Sequence, residues 1–308
     1  MAVEVVVAGD DVNVGTVIDD RYRVIRSLGE GACGAVVVAQ DLAEGREVAV
    51  KIQPERSFEE SDVFAEGREE FVREACNLEK LSGIRGIPEC HGTGLYRGRR
   101  YVVMDLVTGM TLEKFAVNPG AHMTAVAASV LGQLCEILWE VHSRQMVHRD
   151  IKPANIMVEL NGEIRLLDLG FALECGVVPA WPSGTLGYSA PEQYLPGNRA
   201  TVACEIFSLG CVLFEMIAHT LPYDGNARGA TRASQAFAPG RLSALDPTLR
   251  DLGLAMVAVD PADRPADVIE VLRYLKPVLP LPGSARHAKL RPPDVTTWYR
   301  KRRGIPLP

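Results

Sequence analysis

The densest concentration of chemically able side chains is Val147-His148-Arg149-Asp150-Ile151-Lys152-Pro153-Ala154-Asn155-Ile156-Met157-Val158. A carboxylate, two cations, an imidazole and an amide crowd into a short loop flanked by β-branched residues. Bunching polar groups against apolar flanks is unfavourable unless they are partnered, so the pattern reads as a site. Thirteen residues after Asn155 comes Asp168-Leu169-Gly170, behind the strand-like run Ile164 to Leu167. An Asp at a buried strand end is a good ligand for a hard cation, and Asn155 can supply a second oxygen. Two capped turns would use the same residue types.

Two further strings carry chemistry. Gly29-Glu30-Gly31-Ala32-Cys33-Gly34-Ala35-Val36 lies between two strand-like runs rather than between a strand and a helix. A dinucleotide fold needs the helix; a glycine hairpin instead presents backbone N–H groups to phosphates with no Cβ in the way. An ordinary glycine-rich hairpin would look the same. Val48-Ala49-Val50-Lys51 then ends a strand with a lysine in an apolar run, which requires a counter-charge because an unpaired buried charge is costly. Glu74 is the expected partner, since it lies between Phe71 and Leu78 on the inward face of a helix. Glu69, Glu70 and Glu79 are the competing acids.

The elements that must position these residues follow from periodicity. Alternating β-branched runs at Tyr22 to Leu28, Ala35 to Asp41, Glu47 to Ile52 and Arg100 to Asp105 predict a small antiparallel sheet. One helix interrupts it, with Phe71, Ala75, Leu78 and Leu81 facing the sheet. From about residue 110 the period becomes helical: Val126, Val130, Leu134, Ile137, Leu138 and Val141 form one stripe, and Ile206 to Ala218 and Val268 to Leu275 form others. Thr108-Gly109 is the expected hinge between a β-rich part and a helical one. The final 32 residues hold seven of the 20 prolines and seven Lys or Arg against one acid, Asp294. That composition reads as a solvated, partly disordered tail. The alternative is a docking strip that binds a partner or packs back through Trp298 and Tyr299.

At 308 residues and 47% hydrophobic content the chain has ample material for a core. Its 33 basic and 39 acidic residues give a charge of 33 − 39 = −6, so it has no global basic field for nucleic acid and a polyanion needs a local site. The seven cysteines are odd in number and never spaced as CxxC, which argues for reduced thiols over a disulfide framework or zinc ribbon. The N-terminal residues lack a basic n-region and no apolar run approaches about 18 residues, so neither export nor a membrane span is expected, and the expected location is cytoplasmic.

Across residues 20–276 the sequence resembles the eukaryotic-type Ser/Thr protein kinases, most closely the bacterial members. The glycine loop, VAVK, HRDIKPAN, DLG and Ser189-Ala190-Pro191-Glu192 occur in the family's order. The resemblance implies an α+β, two-lobed protein-kinase-like fold: a small antiparallel β N-lobe with one helix (about 20–107) and a larger, mainly α C-lobe (about 110–276). Residues 1–19 are an N-terminal extension and 277–308 a Pro-rich basic tail. ATP is implied as the nucleotide, with Mg2+ or, alternatively, Mn2+. Gly29, Glu30, Gly31, Ala32, Cys33 and Gly34 would cover the phosphates, with Leu28 a further nucleotide-binding residue. Val36 and Ala49 would contact adenine, Met104 falls at the gatekeeper position, Met157 is a further implied nucleotide-binding residue, and Asp105, Leu106 and Val107 would offer adenine backbone groups. Lys51, held by Glu74, would bind the α- and β-phosphates. Asp150 looks like the catalytic base, Lys152 like the lysine that contacts the γ-phosphate, and Asn155 and Asp168 like the metal ligands. The implied partners are proteins with Ser or Thr acceptors.

The resemblance also pairs Arg264 with Glu192 and assigns His148, Leu169 and Leu78 to packing. Thr185 takes the position that contacts the catalytic Asp, and Ser183 is the main candidate for a regulatory phosphate, with Arg149 as its partner. Two departures matter. Glu205 stands where the family places an Asp that holds the catalytic-loop backbone, and its extra methylene either is absorbed or loosens the loop. Leu169 replaces the usual Phe. A pseudokinase scaffold and a small-molecule phosphotransferase are the alternative functions.

Overall fold

In the computed structural model, residues 12–31, 34–53, 62–118, 120, 123–179 and 184–302 are described, side chains at 30, 31 and 62–70 excepted. Ala32, Cys33, Ser183 and the side chains of Glu30, Glu69 and Glu70 therefore lie outside the described residues. The architecture is α+β, and the chain divides into two compact units, 1–83 with 88–107, and 84–87 with 108–308.

The first unit is an antiparallel sheet of β1 (Val17–Ile18), β2 (Tyr22–Gly31), β3 (Gly34–Asp41), β4 (Glu47–Ile52), β5 (Cys90–Tyr96) and β6 (Arg99–Asp105), in the order β1-β2-β3-β4-β6-β5, with helix α1 (Asp62–Lys80). Directly paired residues share a face of a sheet. The register Val36↔Lys51, Val38↔Ala49 and Ala49↔Met104 therefore puts Val36, Ala49, Lys51 and Met104 on one face. The opposite face holds the core, with Val37, Val48, Val50, Ile52, Tyr101 and Val103 buried together. Val12 and Ile18 are buried in the same cluster, and Val17–Ile18 pair with β2 as strand β1. Strand β5 was not expected, because Cys-His-Gly-Thr-Gly-Leu-Tyr has no apolar alternation; pairing with β6 forms it.

The second unit contains the strands β7 (Gly109–Thr111), β8 (Met146–Val147), β9 (Ile156–Glu159), β10 (Ile164–Leu166) and β11 (Leu173–Glu174). Its helices are α2 (Leu112–Ala116), α3 (Thr124–Ser143), α4 (Val202–Ala218), α5 (Pro247–Met256), α6 (Val268–Leu275) and α7 (Thr297–Lys301). Strands β7, β9 and β10 make a three-stranded sheet, and β8 pairs with β11. Helix α3 is long and apolar enough to cross a membrane by length and composition, a run the sequence reading passed over, but 72% of that window is buried inside the protein. It is packed by α4 and α6.

The C-terminal segment departs from the solvated reading. Leu279, Leu290, Val295 and Tyr299 are buried in the second unit. Residues 281–289 are exposed, whereas residues 290–302 pack back on the second unit through Tyr299 and its neighbours, and Arg303 and beyond lie outside the described residues.

Candidate active site

In the first unit β2 and β3 form the glycine hairpin, with Gly29↔Val36, Glu30↔Ala35 and Gly31↔Gly34 in register. A Cβ added at Gly29 would meet no protein atom within 4 Å, so the space over this strand is open to a ligand. Gly34 has a different reason to lack a side chain: at φ +125° its Cβ would lie 2.0 Å from the Ile52 carbonyl oxygen. Leu28 falls in the register shift between Ser27 and Gly29 and is exposed.

Lys51 Nζ makes an ion pair with Glu74 Oε2, and both residues are buried. The stripe that buries Phe71 and Leu78 turns Glu74 inward and leaves Glu79 exposed. A buried pair of this kind persists only if each charge keeps its partner. Ala49 is buried beside it, and Val36 and Met104 are half-buried on the same face. At the end of β6 the Asp105 N–H donates to the Glu89 carbonyl at 3.0 Å, so of its two backbone groups the N–H is already spent within the first unit. Its carboxylate accepts from His91 Nε2 at 2.8 Å and Glu89 N at 3.2 Å, partners that the sequence gave no hint of.

In the second unit the loop between β8 and β9 gathers the densest cluster. Asp150 is buried, and its Oδ2 accepts from Lys152 Nζ at 2.7 Å and Asn155 Nδ2 at 2.8 Å. Thr185 Oγ1 donates to Oδ1 at 2.6 Å and accepts from Lys152 Nζ at 2.9 Å. Asn155 Nδ2 also donates to the Asp150 carbonyl at 3.0 Å. Both amide hydrogens of Asn155 are thus committed to Asp150, and its oxygen is the group left to face a cation. Asp168 sits at φ +65°, uncommon for a residue with a Cβ, and its carboxylate accepts one long bond from Gly170 N at 3.4 Å. These two side chains fit a divalent ion that keeps waters and takes substrate oxygens. Among the described residues no group of three or more His, Cys, Asp or Glu is arranged to hold a metal ion. Met157, on β9, is half-buried and pairs with Arg165 and Thr111.

The loop is anchored from below. The fully buried Glu205 accepts from His148 N, from Arg149 N at 3.0 Å and from His142 Nε2. Burial opposes its charged form, but the hydrogen bond and charge of His142 outweigh that and hold its carboxyl below the ordinary value. The extra methylene is therefore absorbed, and the added partner His142 lies six residues before His148, in no recognisable motif. His148 Nδ1 accepts from Asp150 N at 3.3 Å, which leaves Nε2 to donate to the Leu167 carbonyl at 3.0 Å. His148 and Leu169 are buried. Arg149, also buried, donates to Phe171 O at 3.5 Å.

Arg264 grips Glu192 bidentately, Nη1 to Oε1 at 2.6 Å and Nη2 to Oε2 at 2.9 Å. Its guanidinium also donates to the carbonyls of Ala203, Ala258 and Val259. The six described cysteines, at 76, 90, 135, 175, 204 and 211, are free thiols.

A buried lysine–glutamate pair and a glycine hairpin in the first unit, and in the second an aspartate held by Lys, Asn and Thr, are the parts that a nucleotide-dependent phosphotransferase requires. Residues 22–274 match the family described as protein kinase domain, and the chain belongs to that family. It is similar to the probable serine/threonine-protein kinase PknB of Lactococcus lactis, 31% identical over 223 residues that make up 70% of this chain and 34% of the relative. Serine/threonine-protein kinase PrkC of Bacillus subtilis is 32% identical over 218 residues, 70% of this chain and 33% of the relative. PknA of Mycobacterium tuberculosis is 30% identical over 259 residues, 82% and 59%. The chain spans about a third of the length of the first two. Membership implies use of ATP and a divalent metal in general.

Proposed function

We propose that this chain is a cytoplasmic Ser/Thr protein kinase that transfers the γ-phosphate of ATP to protein hydroxyls with Mg2+, Mn2+ being an alternative ion. The observation that carries the reading is the Asp150 carboxylate, buried and met by Lys152, Asn155 and Thr185 at 2.6–2.8 Å. Asp150 takes the proton of the acceptor hydroxyl as its oxygen attacks the γ-phosphorus and the bond to the β–γ bridging oxygen breaks, releasing ADP. Lys152, already on Asp150 Oδ2, sets its ammonium beside the transferring group. Lys51, paired with Glu74, holds the α- and β-phosphates. Asn155 Oδ1 and Asp168 would hold the metal, which when bound neutralises phosphate charge. Most of the acceleration then comes from positioning and fixed charge rather than covalent chemistry. Ser and Thr acceptors are favoured by Lys152 and by the similarity to serine/threonine-protein kinases.

The test is transfer of labelled phosphate to casein or to the chain itself, with Asp150→Asn as the control. Transfer by the parent and its loss by at least about a thousandfold in the variant, some 4 kcal/mol of barrier, is expected. Binding of ATP with no transfer by the parent would favour a scaffold instead. Labelling of hydroxylated small molecules but not proteins would favour a small-molecule phosphotransferase.

A further inference from the structure

The C-terminal segment is seated on the elements that carry Asn155 and Asp168. The hairpin β9–β10 begins at the residue after Asn155 and ends two residues before Asp168, and its base is closed by Leu167 N donating to Asn155 O at 2.8 Å. Its turn is where the C-terminal segment arrives. Gly162, at φ +87°, has no room for a Cβ, which would lie 2.2 Å from the Asp294 carbonyl oxygen. The buried Gln133 of α3 staples the junction: its Nε2 donates to Gly162 O at 3.1 Å and Val295 O at 3.2 Å, and its Oε1 accepts from Ile164 N at 3.0 Å.

One turn further along the segment, a single carboxylate on α3 collects three donors. Glu136 accepts from Trp298 Nε1 at 3.2 Å, Tyr299 Oη at 2.8 Å and Arg302 Nη1 at 2.6 Å. Gly132 admits the Tyr299 ring, since a Cβ there would lie 2.4 Å from its hydroxyl. Arg85, in the connector after α1, stacks its guanidinium 3.5 Å from the Trp298 ring centroid and pairs with Glu163 of the hairpin turn at 2.8 Å. The neighbouring Gly86 carbonyl accepts from Leu166 N of β10 at 2.8 Å. The cavity left at this junction, bounded by Arg85, Gln133, Glu136, Glu163 and Trp298, is about 50 Å³, too small for an organic ligand. Tyr299 is buried here, and Trp298 is half-buried with its indole N–H on Glu136 and its face on Arg85.

We propose that Asp294 to Arg302 act in cis as a brace on the β9–β10 hairpin, with Trp298, Arg85 and Gln133 as positioning residues that fix Asn155 and Asp168 for phosphoryl transfer. The inference rests on the reading of Asn155 and Asp168 as the metal-holding pair. The physical warrant is that the β9–β10 hairpin has only the short strand β7 beside it, on the β9 edge, so its turn depends on α3, the connector and the C-terminal segment, which together hold it here. Loosening the turn lets the strand ends shift relative to each other.

The experiment compares the full chain with Trp298→Ala, Trp298→Phe and Glu136→Gln. Hydrogen exchange over residues 153–168 is followed alongside kcat, the Mg2+ concentration for half-maximal rate, and KM for casein, at a temperature where each protein is folded. In Trp298→Ala, faster exchange in the hairpin and a rise of about threefold to tenfold in the Mg2+ requirement are expected, with kcat lowered and the casein KM unchanged. Trp298→Phe, which keeps the ring over Arg85, should recover most of the loss. Faster exchange confined to residues 290–302, with hairpin exchange and the Mg2+ requirement unchanged, would overturn the proposal. If Trp298→Ala does not fold, Glu136→Gln supplies the same comparison. If the parent transfers no phosphate, the functional reading fails, and the exchange data alone decide whether the brace exists.

Discussion

Replacing Glu205 by Gln keeps the size of the side chain and removes its charge. The carboxylate serves His148 N, Arg149 N and His142 Nε2, all from full burial. A glutamine that keeps its oxygen on the two loop amides must turn its NH2 toward His142; turned the other way, it sets donors against the two N–H groups. Hydrogen bonds to a charged group contribute about 1.5–3 kcal/mol each, so losing one and weakening two should cost about 2–4 kcal/mol. Glu205→Ala strands three buried donors and should cost about 3–5 kcal/mol. A domain stability of about 5–15 kcal/mol leaves the Gln variant folded for assay. Because the anchored amides belong to the residues just before Asp150, kcat should fall by about a hundredfold, the effect of a 1 Å misplacement. Urea unfolding and steady-state rates on one preparation read both quantities. Glu205→Asp sharpens the test: the shorter side chain reaches the loop or His142 but not both. His142→Ala should therefore cost less in the Asp background than in the Glu background by at least about 1 kcal/mol. A Gln variant within about 0.5 kcal/mol of the parent with an unchanged rate, or an additive double-mutant cycle, would refute the reasoning.

Arg264→Lys cannot reproduce the bidentate grip on Glu192 together with three carbonyl contacts, so chemical unfolding should show a loss of about 3–5 kcal/mol; a loss below about 1 kcal/mol would mean that the pair is not structural. Thr185→Ala removes the donor to Asp150 Oδ1 and should lower kcat by about tenfold, or 1.4 kcal/mol of barrier, with Thr185→Ser close to the parent; equal rates for Thr and Ala would take this contact out of the mechanism. Asp41 is held at about 2, below its ordinary 3.8, chiefly by its hydrogen bonds from Arg21. Its folded value is depressed, so its contribution to stability is full above pH 3.8 and is lost as pH falls toward 2. The thermal midpoints of the parent and Arg21→Ala should differ above that window and converge below it; a gap that widens on acidification would contradict the assignment.

Much of the site was legible because each of its strings is local. VAVK, HRDIKPAN and DLG carry their own flanking strands, and the helical period that buries Phe71 and Leu78 was enough to select Glu74 over Glu79. The partner of Arg264 came from the family resemblance, and the grip is present in the structure. Less was legible where a residue acts across the fold. His142 sits in a helix whose period explains its neighbours but not its own contact with Glu205. Strand β5 lacks alternation and owes its existence to β6. The amide of Asp105 is spent on Glu89, a pairing that spacing does not reveal.

What the amino-acid order determined alone was the succession of strands and helices and the chemical inventory of the site, because hydrophobic period and local loop composition act over a few residues. Only the tertiary structure decided the fate of the C-terminal segment and of Glu205. A Pro-rich basic composition predicts solvation when judged by itself, yet Gly132, Gly162, Gln133 and Glu136, more than 130 residues away from Trp298, form its seat. The burial of a polar group depends on the partners that the folded chain brings to it, and those partners carry no mark in the sequence around it.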